Sequence, residues 1–255
     1  MNALALSAPR VSLLRCYVLE ARNEFLRLLR APSFVLPTLL FPPMFYVLFA
    51  VLFGSRSGFQ ANIYLLATYG VFGVMSPGLF GLGVTVAHDR ERGWLTFKRA
   101  LPMPPGAYIV SKLAMSLLFA TIIFSILAVL STTLGGVRLP ASAWMSLLVV
   151  DLLGVLPFCA IGLYVGSLAS SSAAPAIANL IYLPMSLLSG LWMPLGVLPP
   201  FISKLAPLWP AWHLGRLALA AVGQAPGEAL PWHALALALV TVLFALLACR
   251  RLVRG

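Results

Sequence analysis

Few residues in this 255-residue chain could carry out acid–base, thiol or metal chemistry: six carboxylates, three histidines and three cysteines. The histidines, His88, His213 and His233, are far apart, and so are Cys16, Cys159 and Cys249. No H-E-x-x-H pair, zinc-type cysteine spacing or G-x-x-x-x-G-K-[ST] phosphate loop occurs. A hydrolase needs a nucleophile beside a base, or a metal set. The pattern offers neither, so the expectation is a chain that is not an enzyme and binds no metal or cofactor of its own.

The polar chemistry is instead concentrated in one stretch, His88 to Lys112, which reads HDRERGWLTFKRALPMPPGAYIVSK. It holds Arg90, Arg92, Lys98, Arg99 and Lys112 of the seventeen basic residues, together with Asp89 and Glu91. Trp94, Leu95 and Phe97 lie among these charges, with Gly93 before them. Aromatic and apolar anchors dominate interface energetics, and flanking charges set register and fit. This composition suits docking against another protein. The alternative is that the charges only fix membrane topology. Asp151 stands alone within a long apolar run. A carboxylate at a helix centre costs about 2.5–3.5 kcal/mol on insertion scales, so it should face other helices or water. It is either a polar group in a translocation path, such as a proton site, or a structural hydrogen-bond acceptor between helices.

The elements that must hold these residues are membrane spans. The chain is 61% hydrophobic and 9% charged, against roughly 25% charged in soluble domains. Six spans are expected, at about 33–53, 63–87, 107–134, 141–169, 173–193 and 230–248, each near the ~20 residues that cross the hydrocarbon. Together they form one six-span transmembrane domain over 33–255. Pro37, Pro42 and Pro43 predict a bend in the first span. Five glycines between Gly70 and Gly83 predict close helix packing in the second. Residues 194–228, rich in Pro and Trp, are too broken to be one span.

Before the spans, Val11, Leu14, Val18, Ala21, Phe25 and Leu28 recur at helical period. Residues 1–32 therefore predict an amphipathic helix at the membrane interface, with Glu20, Glu24 and Arg27 largely on its polar side. Of the seventeen Lys and Arg residues, only Arg56, Arg138, Lys204 and Arg216 fall on the side opposite the termini and the 88–112 stretch. The positive-inside rule places both termini and that stretch in the cytoplasm. The net charge of +11 is spread beside the spans rather than gathered on one patch, which points to membrane lipid and away from nucleic acid.

Two motifs then carry a resemblance. One is Asp89-Arg90-Glu91-Arg92-Gly93, followed by Leu101-Pro102, Tyr108 and Lys112. The other is Ser189-Gly190-Leu191-Trp192-Met193-Pro194, then Leu198-Pro199, Pro207, Pro210 and Arg216. Their order between the spans resembles the type-2 ABC exporter permease family over nearly the whole chain. Trp94 to Arg99 is bulkier and more basic than is usual there. The resemblance implies an all-α permease subunit in a bacterial plasma (inner) membrane, paired with a second permease chain. Two ABC ATPase subunits would bind ATP and Mg. The residues from Asp89 to Arg99 would form the ATPase-coupling hairpin. Gly190, Pro194, Pro199, Pro207, Pro210 and Arg216 would belong to an outer re-entrant segment. Drug-like, lipid or polysaccharide cargo would move outward. A secondary transporter using Asp151 is the alternative.

Overall fold

A computed structural model of the chain describes residues 12–53, 59–100, 104 and 106–254. The described residues form helices joined by short turns. The order is α1 (Leu13–Leu29), α2 (Pro32–Tyr46), α3 (Phe59–Ser76), α4 (Gly83–Glu91), α5 (Trp94–Ala100), α6 (Ala107–Thr133), α7 (Ala141–Leu168), α8 (Ala174–Leu188), α9 (Pro200–Leu205), α10 (Pro210–Ala221) and α11 (Leu230–Arg254). A π-helical segment, Val47–Phe53, extends α2, and another, Pro77–Leu82, joins α3 to α4.

Among the described residues, five helical stretches are long and apolar enough to cross a membrane: Pro32–Ala50, Gln60–Glu91, Ala107–Thr133, Ala141–Leu168 and Leu230–Leu252. The expected fifth span, 173–193, is only the 15-residue helix α8. Its early end has a local cause. Gly190 takes φ +74°, its N–H donates to the Leu187 carbonyl, and the Leu191 N–H donates to Ser186. That pair of bonds is a Schellman cap, which closes a helix through a left-handed glycine. In the first span the helix runs on through Pro37, Pro42 and Pro43. Its departure from α geometry comes only after them, at Val47.

The core is packed around α7 and the α3–α4 helix. A side chain at Gly162 would sit 2.4 Å from the Gly78 carbonyl oxygen, and one at Gly166 would sit 2.6 Å from that of Gly83. The two backbones can touch only because these positions lack a Cβ. Pro77 lacks the amide hydrogen that would continue an α ladder, and the wider π turns begin there. The Ser116 hydroxyl donates to the Pro77 carbonyl at 3.0 Å.

The bundle has two distinct ends. At the first, α1 packs against α6, and the α4–α5 turn lies beside the α7–α8 turn. At the second, the Asn62 amide donates to the Gly135 carbonyl at 2.8 Å, and the Gln224 amide meets Gln60. Helices α9 and α10 are too short to span, as expected for 194–228. Pro200 and Pro210 open α9 and α10 within their first turns, where a missing N–H costs nothing.

Candidate contact site at the charged end

The 88–112 stretch is built as a helix end, a tight turn and a short helix. Helix α4 stops at Glu91, and Gly93, at φ +71°, donates its N–H to the Arg90 carbonyl. No atom lies within 4 Å of where a Cβ on Gly93 would be. The glycine is required by backbone conformation and not by crowding. The Phe97 N–H then bonds the Gly93 carbonyl and starts α5.

Beneath this turn is a buried ionic cluster drawn from four helices. Lys112 of α6 has no exposed surface. Its Nζ lies 3.0 Å from Asp89 Oδ2 of α4 and 3.4 Å from Glu24 Oε2 of α1, and it donates to the Thr85 hydroxyl at 2.8 Å. Arg27 bridges Glu24 at 2.8 Å and Asp89 at 2.9 Å. Lys98 of α5 pairs with Glu20 and lies 3.5 Å from Glu24. The Tyr108 hydroxyl donates to Asp89 at 2.9 Å, and the Lys98 and Lys112 ammonium groups lie 5.0 and 4.8 Å from the centre of its ring. Three acids thus face three bases, and the charges balance: Glu24, Asp89 and Lys112 are buried, Lys98 and Glu20 partly so, and Arg27 closes the cluster from its exposed side. A balanced, hydrogen-bonded set is the arrangement in which charges tolerate burial.

The sequence-predicted residues divide into two groups. Asp89 does not face solvent; it is an internal member of the cluster. Arg90 reaches α7, where its guanidinium bonds the carbonyls of Ser167 and of Ala169, the latter at 2.7 Å. These carbonyls lie at the end of α7, where no further helical N–H is available. Glu91 accepts a hydrogen bond from the Ser171 hydroxyl in the α7–α8 turn. Lys98 is engaged inward. Arg92, Gly93, Trp94 and Phe97 are exposed and Leu95 is half-buried. Trp94 and Phe97 meet edge to face with centroids 5.8 Å apart, and they are 48% and 55% exposed. The Arg99 side chain, Leu101 and Pro102 lie outside the described residues. The geometry is an aromatic knob on a base pinned to α1, α6 and α7.

Sequence reasoning missed the cluster and misplaced part of α1. Glu24, expected on the polar, outward side, is 3% exposed. It turns inward because Lys112, Lys98 and Arg27 meet there. Conversely Leu13, Leu14 and Val18 are uncovered. The pairing of Glu24 with Lys112 spans 88 positions, so no local pattern signals it.

Asp151, 1% exposed, lies in mid-α7. Neither of its oxygens has a hydrogen-bond partner within the protein. Gly70 of α3 packs against it, and a Cβ there would sit 2.8 Å from Oδ2.

The Gly190–Arg216 segment gathers at the other end of the bundle. The Tyr64 hydroxyl donates to the Gly190 carbonyl at 2.6 Å. Trp192 stacks on Phe45 at 5.7 Å and meets Phe72 edge-on. Pro194 precedes a 3-10 turn at Leu195–Val197, and Pro199 caps α9. The Pro207 carbonyl is bonded by His213 Nε2 at 2.9 Å, and Arg216 pairs with Glu228. Two histidines the sequence had left isolated meet here. His213 Nδ1 lies 2.9 Å from His233 Nδ1, and His233 Nε2 lies 2.9 Å from Glu228 Oε2. With Glu228 ionised against Arg216, the three imidazole bonds form together when the two rings hold three protons between them. Burial holds His213 below the usual histidine range, and neighbouring His233 adds to this. Hydrogen bonds from Arg216 and then His233 hold Glu228 below the usual carboxylate range.

Comparison with known proteins agrees with this architecture. The chain is 28% identical over 194 residues, 75% of its length and 79% of the relative's, to a Bacillus subtilis (strain 168) protein named "Putative transport permease YvfS". The family model described as "ABC-2 type transporter" matches residues 17–222, which include the ionic cluster, the exposed turn, Asp151 and most of the far-end segment. The chain therefore belongs to the ABC-2 type transporter family, as a multi-pass membrane permease of an ABC transporter.

Proposed function

We propose that this permease works as an exporter, driven through the 92–97 turn by an ATPase subunit bound beneath it. The observation that carries the proposal is the exposed Trp94–Phe97 pair on a base fixed by ionic bonds to α1 and α6 and by hydrogen bonds to the end of α7. An exposed aromatic pair offers hot-spot contacts to a partner. The fixed base means that displacement of the knob is passed to α1, α6 and α7 instead of being lost in a floppy loop. Two ATPase copies bind ATP and Mg and close on nucleotide, biasing the spans between inward and outward states. A second permease chain, identical or closely related, completes the pathway about a two-fold axis.

The charged end faces the cytoplasm of a bacterial plasma membrane, in line with the basic residues gathered there. Helix α8, short by itself, crosses as a sixth span with the help of the 189–193 turn, which keeps both termini on one side. Helix α1 lies in the interface. Its uncovered Leu13, Leu14 and Val18 meet lipid while its Glu24 side grips the protein. Cargo is an amphiphile of the drug, lipid or polysaccharide class.

The test is affinity capture of the tagged chain from mild detergent, with partners identified by mass. Capture of an ATPase subunit, lost in Trp94→Ala/Phe97→Ala while the permease itself is recovered in normal yield, is the expected result. Undiminished capture by the double variant removes the contact role from this turn. A secondary transporter is the second reading, favoured only by the unpaired carboxylate of Asp151. It requires transport that follows a proton gradient and proceeds without ATP.

A further inference from the structure

At the end of the bundle away from the ionic cluster lies a cavity of about 260 Å³ between α3, the turn after α8, and α10. Tyr64, Thr68, Ser189, Gly190, Trp212 and Arg216 are among its walls. Two donors here are unused. The Ser189 hydroxyl is buried with no partner, on a residue 5% exposed, and the Arg216 Nε–H is buried with no partner. Buried donors are almost always bonded, so two unspent ones on residues that line a single cavity mark a place for an acceptor. The Tyr64 and Thr68 hydroxyls are already engaged. Tyr64 donates to the Gly190 carbonyl and Thr68 to the Tyr64 carbonyl. No carboxylate lines the cavity. Glu228, the acid paired with Arg216, is shared between Arg216 and His233, so it answers the Arg216 charge only in part. The Schellman cap at Gly190 fixes Ser189, and the Glu228 pair fixes Arg216, so both donors are held in place before any ligand arrives.

We propose that this cavity is a binding site for a phosphate-bearing anion, held by the Ser189 hydroxyl and the Arg216 guanidinium. A phosphate offers acceptor oxygens to both donors and the charge that Arg216 lacks in full, and arginine forks suit it. The same chemistry is presented by a lipid phosphate headgroup and by free phosphate. The inference rests on these residues and not on the direction of transport.

Calorimetric titration of the purified full chain, in a neutral maltoside detergent and without any ATPase, tests it. The probes are inorganic phosphate, dihexanoyl phosphatidic acid and the uncharged dihexanoyl glycerol. Saturable binding of at least one phosphate probe and none of the diacylglycerol is expected. Binding by both phosphate probes makes the site one for the free anion, and binding by the lipid alone makes it a headgroup site. Ser189→Ala should weaken binding ten-fold or more, and Arg216→Lys at least as much, because the planar fork is lost. Should Arg216→Lys fail to fold, Ser189→Ala decides alone, since it removes only an unbonded hydroxyl. No saturable binding of either phosphate probe, equal binding in Ser189→Ala, or tighter binding of the diacylglycerol overturns the proposal.

Discussion

Replacing Lys112 by Met is the sharpest probe of the ionic base. The shape is roughly kept while the cluster goes from balanced to one net negative charge. Lys112 Nζ lies 3.0 Å from Asp89 and 3.4 Å from Glu24. At an effective dielectric of ~20, each attraction is about 5 kcal/mol before desolvation is charged against it. Desolvation takes back much of that. Removing one member of a buried pair nevertheless costs ~3–5 kcal/mol, because the partner charges remain buried without it. A melting-temperature drop of about 6–20 °C follows for a chain of this size. Amide hydrogen exchange should localise the damage to α1 and the α4–α5 turn, leaving α7 and α11 protected. Adding Glu24→Gln to Lys112→Met restores neutrality and should recover more than half of the loss. The assay is thermal unfolding of the four proteins of this cycle in one detergent, with exchange mapped by mass. A Lys112→Met variant within about 0.5 kcal/mol of the parent, or a double variant that is simply the sum of the two singles, refutes the claim that these charges act as one buried set.

Other outcomes follow from the same geometry. Arg90→Ala frees the last carbonyls of α7 and should lower stability by about 1.5–3 kcal/mol, measured by melting, and make ATPase turnover independent of cargo in the assembled transporter. At the far end, His213 is held below its unfolded pKa, so the unfolded chain takes up its proton first and stability falls as pH drops through ~6.5. Glu228 is also depressed, so the stability it adds is present above ~4.5 and is lost as pH falls through its lower folded value. Melting from pH 8 to pH 4 should show both losses, and His213→Gln should remove the first. Asp151→Asn keeps shape and polarity and should leave ATP-driven transport intact; its abolition would turn Asp151 into a proton site. Gly70→Ala should cost about 1–3 kcal/mol by overpacking against Asp151, partly relieved by adding Asp151→Ala.

Much of the fold was legible because a bilayer imposes local rules. Runs of ~20 apolar residues, Pro at helix starts and Gly at helix ends lie within a few positions of what they determine. The helices from Ala107, Ala141 and Leu230 begin where those rules put them, and Gly93 and Gly190 both end helices in the left-handed conformation. Helix α8 was overestimated because Leu191, Trp192 and Met193 are apolar, and composition cannot show that Gly190 has already turned the chain. The cluster of Glu20, Glu24, Asp89, Lys98 and Lys112 was invisible for a different reason. Charge beside a span has the same signature whether it meets water or an opposite charge from a distant helix. The meeting of His213 and His233 was hidden because a turn between α10 and α11 brings together residues twenty positions apart.

The helical stretch Gln60–Glu91 has one more consequence. Its 32 residues run without a break from beside Tyr64, at the cavity wall, to the residues just before Gly93. At 1.5 Å per residue it is a rod of roughly 48 Å. Its tightest backbone contact with α7, at Gly78 and Gly83, falls in the half nearer the charged end. A rod held at such a point behaves as a first-class lever with unequal arms. On a length of this order, a tilt of about 5° moves the shorter arm by roughly 1 Å and the longer by roughly 3 Å. A displacement of the end before Gly93 would thereby become a larger one beside Tyr64, at the cavity wall.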